Sequence, residues 1–161
     1  MKKVVIVVLI SIVCFSFITF ETKIVADNDI PYPEGYRMWT HIKTELIGPG
    51  NPNFESNGGY HHIYANAAAM QGYNSGYFPD GSVLIFDVLN TTEHGGNTQE
   101  AGRKRLNVMV KDSLKYSSTG GWGYGEFNGD SHTQILTPTL KTKCFNCHSQ
   151  RENYVFSRFR K

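Results

Sequence analysis

Cysteine is scarce in this chain of 161 residues: there are three, and Cys14 lies in an apolar run at the N-terminus. The remaining two cannot form the bridge framework of a small secreted domain, so a disulfide scaffold is excluded. Charge is sparse and nearly balanced, with 16 Lys and Arg against 14 Asp and Glu. Once residues 1–26 are set aside, the basic and acidic counts are equal. A neutral chain has no electrostatic footprint for nucleic acid, and no nucleic-acid partner is expected. Long stretches with a 3.6-residue apolar period are lacking, which argues against a helical bundle. No methionine follows Met109, and no internal repeat or low-complexity block interrupts the sequence.

The chain does have a marked N-terminal apolar run. MKKVVIVVLISIVCFSFITFETKIVAD begins with Lys2 and Lys3 and continues uncharged from Val4 to Phe20. The pattern is that of a secretory signal cut after Ala26, which leaves residues 27–161 as one exported, periplasmic domain. A membrane anchor through residues 4–20 is the competing reading. Val13, directly before Cys14, is too bulky for a lipoprotein site.

Turn residues are plentiful beyond the leader, with 16 glycines in the whole chain. Ile30 to Ile47 reads as a short helix followed by a strand, and Gly48 to Gly59 as a loop. Tyr60 to Asn66 reads as a strand, and Asn66 can cap a short helix, AAAMQGY, that Gly72 should end. Strands are expected over Phe78–Asn90, Arg103–Ser113 and Gly120–Phe127, with a polar loop over Thr91–Gly102. On Arg103–Ser113, Leu106, Val108 and Val110 share one face, and Asn107, Met109 and Lys111 the other. Tyr154–Lys161 is expected as a last strand. The fold class expected is mainly β (α+β): an antiparallel sheet with a few short helices and a C-terminal cysteine motif.

That motif is Cys144-Phe145-Asn146-Cys147-His148. The spacing matches c-type haem attachment. Each thiol adds across one vinyl group, two intervening residues let both sulfurs reach neighbouring vinyls, and the next residue offers an axial imidazole. One covalently bound haem c is expected, with His148 on the iron. Three plainer readings compete. A zinc site would need Cys144 and Cys147 with two of His94, His132 and His148. A redox dithiol would sit early, in a thioredoxin-like pattern. A structural disulfide would make His148 a coincidence.

Position narrows the class. The haem motif lies near the C-terminus, and no methionine is available downstream as a second axial ligand. FPDGSVLIFDVL, RKRLNVMVKDS, GGWGYGEF, CFNCH and YVFSRF, in this order, resemble the cytochrome P-460 family from about Tyr32 to Arg160. The resemblance implies a mostly β fold, a homodimer and a haem held by the terminal motif. It also implies one of two activities. Some members oxidise hydroxylamine and carry a lysine cross-linked to the porphyrin. The related cytochrome c′-beta lacks that bond and binds nitric oxide at a five-coordinate iron. Phe86 stands where the cross-linking lysine would be, and Asn107 where a carboxylate can occur. Phenylalanine has no nucleophilic nitrogen, and asparagine cannot act as a carboxylate base. Both departures resemble cytochrome c′-beta.

The expectation is therefore a nitric-oxide-binding protein with an apolar distal pocket built from Phe86, Phe54 and Asn107. The alternatives are a hydroxylamine-oxidising haem oxidoreductase and a six-coordinate electron carrier with His61 or His62 on the iron. Those two histidines are adjacent, so a strand would point them to opposite faces. Arg103, Arg158 and Arg160 are candidates for the haem propionates, since guanidinium suits carboxylates. A redox partner cytochrome is also among the expected partners.

Overall fold

The computed structural model describes residues 30–160. The expected signal or anchor, residues 1–26, lies outside the described residues. Among the described residues no helix is long and apolar enough to cross a membrane.

Five strands form one antiparallel meander in chain order: β1 (Thr40–Ile47), β2 (Gly59–Ala65), β3 (Val83–His94), β4 (Asn97–Lys111) and β5 (Trp122–Asn128). Three helices punctuate it: α1 (Phe54–Asn57), α2 (Ala67–Ser75) and α3 (Pro138–His148). The mainly β expectation is met. Asn66 caps α2 as expected, its side chain accepting from the Ala69 N–H at 2.9 Å. Gly72 does not end that helix: it lies inside, where the Phe78 ring leaves no room for a Cβ, and Gly76 terminates the helix in the left-handed region.

Two other local expectations need correction. Thr91–Gly102 is not a loop but the far end of a long hairpin, with His94 paired to Asn97. Gly95 and Gly96 have φ of 57° and 80°, which supplies the two-residue turn that matches strand twist. The flanking residues are polar because this end extends into solvent, not because it lacks pairing.

The expected last strand, Tyr154–Lys161, is not a sixth strand over its described residues, 154–160. From Val155 to Arg160 it is unpaired, yet its burial alternates, with Val155, Ser157 and Phe159 inward and Phe156, Arg158 and Arg160 outward. Val155 and Phe159 pack against the core, and Ser157 Oγ lies 2.6 Å from Tyr73 Oη. The period of two is thus real but comes from packing rather than from a ladder.

The sheet has two unlike faces. On one, Ile85, Leu106, Val108 and Phe127 pack with Ile30, Tyr36 and Tyr116. On the other, Ala65, Leu84, Met109, Trp122 and Tyr124 pack with Ala69, Phe78 and Leu136. Alternation along β4 separates them: Leu106 and Val108 face one way, Asn107 and Met109 the other. The tail and α3 lie over the second face only, and there the packing is incomplete.

Candidate functional site

α3 carries the cysteine motif. Pro138 opens the helix and Thr137 caps it, its hydroxyl accepting from the Leu140 N–H. The helix ends at His148. Cys144, Cys147 and His148 therefore stand at i, i+3 and i+4, on one side of the helix. Cys144 is half-buried and Cys147 is exposed, and no disulfide joins them. Burial, with the Glu126 carboxylate nearby, pushes the Cys144 thiol up from its ordinary range. A redox dithiol needs the opposite shift. Among the described residues no group of three or more His, Cys, Asp or Glu could hold a metal ion, so the zinc reading finds no support.

His148 is oriented from behind. Its Nδ1–H donates to the Tyr154 carbonyl at 2.7 Å, which fixes the tautomer and leaves Nε2 as the nitrogen able to take a metal. Burial lowers the imidazole's pKa, favouring the neutral ring that a metal requires. The carbonyl reaches His148 because the chain reverses through Asn153 and Tyr154, both left-handed at φ 53° and 64°. A tyrosine there is strained by roughly 1–3 kcal/mol. The turn is held by Asn153, which donates to the Gly76 carbonyl at 2.8 Å, and by the Tyr154 ring lying on Gly120, where no Cβ would fit.

In front of His148 is a cavity of about 410 Å³ between the sheet, α3 and the tail. His148 and Cys144 form one side of it, and Val155, Phe156 and Ser157 close another. The sheet contributes Ile63, Leu84, Phe86, Met109 and Tyr124, with Lys43 and Glu45 at the β1 edge. Ile63, Phe86 and Asn107 are register neighbours on β2, β3 and β4, which places Phe86 at the centre of the sheet wall. Tyr124 lies near His148, with ring centroids 5.4 Å apart. Its hydroxyl is buried and finds no hydrogen-bond partner among the described residues. Such a group is costly unless something in the cavity receives it. A mostly apolar pocket with an oriented imidazole, a thiol in its wall and an orphan hydroxyl fits a porphyrin.

The expected site residues are placed as follows. Cys144, His148, Phe86 and Asn107 line the cavity, while Cys147 stands outside it on the same side of α3. Phe54, at the start of α1, packs on Gly58 and does not line it. Arg158 and Arg160 join Lys43 in an adjoining groove that shares Lys43, Phe156 and Ser157 with the cavity. This is a position from which guanidinium groups can meet propionates. Arg103 is on the opposite face of the sheet, donating to the buried Asp87 at 2.9 Å and to Tyr36 at 2.7 Å. His61 and His62 do point opposite ways. His61 lines the cavity edge-on to Phe86, but its Nε2–H donates to the Asn57 carbonyl at 2.6 Å. His62 lies on the far face, 2.7 Å from Glu100.

Four residues escaped the sequence reading: Glu126, Arg105, Tyr124 and Lys43. The Glu126 carboxylate accepts from the Asn107 amide at 2.6 Å on the cavity face. Arg105 completes that chain of contacts, donating to Asn107 Oδ1 at 3.2 Å and to the Ser56 carbonyl at 3.1 Å. Tyr124 and Glu126 could have been found from β5 itself. Its side chains Trp122, Tyr124 and Glu126 alternate with Gly123 and Gly125, so the large groups must share a face. Lys43 carried no signal, because a bulge between His41 and Lys43 shifts the register of β1.

A family model described as Cytochrome P460 matches residues 33–157. No curated protein matches the chain.

Proposed function

Because the chain belongs to the cytochrome P460 family, and is by that membership a haem cytochrome, we propose that it is an exported protein with a single haem c that binds nitric oxide at a five-coordinate iron. Residues 1–26 would direct export to the periplasm, and the working unit would be a homodimer. Cys144 and Cys147 would hold the porphyrin by thioethers, and His148 would supply the one axial nitrogen from the chain. The haem would supply an iron with one position open to a small ligand.

The observation that carries this reading is the sheet wall. Phe86, flanked by Ile63, Leu84 and Met109, lines the sheet side of the cavity with hydrocarbon, where an incoming ligand would sit. Such a wall gives water no hydrogen bonds and penalises a small uncharged ligand much less. His61, whose Nε2 is already committed to Asn57, does not compete for the iron through that atom. The Tyr154 carbonyl holds His148 in one tautomer, so the imidazole keeps its ligating nitrogen free of a proton.

Hydroxylamine oxidation is the second reading, favoured by Lys43, Glu45 and Glu126. Lys43 brings an amine to the cavity rim, and Glu126 sets a carboxylate one strand away from the Asn107 that replaces it. An optical spectrum of the reduced protein with and without nitric oxide, alongside a hydroxylamine turnover assay, separates the two. The proposal expects a nitric oxide complex and no turnover. Robust turnover, with an intact haem peptide attached at Lys43 as well as at both sulfurs, would replace it by the second reading.

A further inference from the structure

Charge is unevenly divided along residues 27–161, whose basic and acidic counts are equal. From Pro138 to Lys161 there are six basic residues and one acidic, Glu152, whereas residues 27–137 hold seven basic and twelve acidic. The basic segment is the one that carries the cysteine motif and the tail. Lys143, Cys147 and Arg151 follow one another at intervals of four along α3 and just past its end. All three are exposed. The Arg151 guanidinium lies 4.7 Å from the centroid of the Phe156 ring. Phe156 in turn packs edge-on against His148 at 4.9 Å and is 49% exposed.

Some described cations elsewhere are held by carboxylates. Arg37 and Arg103 pair with Asp87, and Lys43 with Glu45. Lys143, Arg151, Arg158 and Arg160 make no ion pair among the described residues. An exposed aromatic that touches His148, with the Arg151 guanidinium over its ring and Lys143 two turns back along the same line as Cys147, has the composition of a docking patch: an apolar centre with a charged rim.

We propose that the surface formed by Lys143, Cys147, Arg151 and Phe156 docks an acidic one-electron carrier protein. The inference rests on the haem reading above. On docking, one electron leaves the partner's reduced centre, which is oxidised, and is taken up at the iron, which goes from ferric to ferrous. No proton or ligand moves in that step. Phe156 and the exposed Cys147 edge offer the short path, and the basic rim sets orientation and encounter rate.

The test uses haem-loaded protein whose mass and optical spectrum have first been checked, so a failed haem reading shows itself before any partner is added. Reduced plant-type ferredoxin serves as an acidic probe and reduced mitochondrial cytochrome c as a basic one. Stopped-flow reduction is followed against ionic strength, and binding of oxidised ferredoxin by titration calorimetry at low salt. The rate with ferredoxin should fall as salt rises, and that with cytochrome c should not. The double variant Lys143→Glu with Arg151→Glu should lose about tenfold in low-salt rate and in affinity. Lys115→Glu, a single charge reversal at an exposed site outside the patch, should lose neither. A ferredoxin rate that ignores salt, or equal losses in the two variants, overturns the proposal. The salt dependence of the unaltered protein decides the matter alone if the double variant does not fold.

Discussion

The two faces of the sheet solve the same problem in opposite ways. On the far face a carboxylate that is 0% exposed, Asp87, is fully answered from within the chain. It accepts from Arg103 at 2.9 Å, from Arg37 at 3.1 Å and from the Tyr36 hydroxyl. Arg103 then reaches Tyr32 at 3.3 Å and Asp130. On the near face there is a cavity, a buried Tyr124 hydroxyl with no described partner, and an imidazole tied down at one nitrogen. A buried polar group left unmet is expensive, and proteins rarely tolerate one without reason. The far face answers its buried carboxylate from within the polypeptide. The near face makes physical sense only with a further group in place, and the family supplies its kind.

The largest expected effect breaks the near face outright. Cys144→Ser with Cys147→Ser should abolish covalent haem, read by haem staining after denaturing electrophoresis, while Asp87→Asn should leave the attachment intact. The next effect belongs to the far face. Asp87→Ala strands Arg103 and Arg37 without their buried carboxylate, and should cost about 3–5 kcal/mol in urea unfolding. Nitric oxide affinity of the loaded protein should not follow that loss.

A sharper comparison uses two tyrosines. Tyr36 is satisfied by Asp87 and Arg103, so Tyr36→Phe should destabilise by about 1–3 kcal/mol. Tyr124 is unsatisfied, so in haem-free protein Tyr124→Phe should be neutral or stabilising. Equal losses in the two variants by urea unfolding would mean that Tyr124 is no different from Tyr36, and the contrast between the faces would fall.

The smallest effect is in pH. Burial depresses the His61 pKa below its unfolded value of about 6.5. A depressed group contributes stability that is present above the unfolded pKa and lost as pH falls through the folded one. The urea midpoint should therefore drop on acidification below about 6.5, and drop less in His61→Gln. An identical slope in both proteins would remove His61 from the account.

Much of this contrast was legible in residues alone. The order of strands, the Asn66 cap and the two faces of β4 follow from turn chemistry and a period of two. The CFNCH spacing raised the expectation of haem attachment because that spacing is dictated by bond reach. What was hidden needed tertiary information. Arg103 looked like a propionate partner because guanidinium suits any carboxylate, and nothing local revealed that the carboxylate is Asp87 on the other face. A register shift between Val88 and Leu89 lets Arg103 and Arg105 point to different faces although they stand two apart. The tail's alternation was read as a ladder because packing and pairing leave the same trace along a sequence. Glu126 was missed because its partner Asn107 sits across a strand pair, 19 residues away.

The most direct check of the central claim is the intact mass of protein matured in its own cell envelope. The account predicts one haem added to the chain and no thiol free to alkylate at Cys144 or Cys147. A bare polypeptide with both thiols reactive would contradict it.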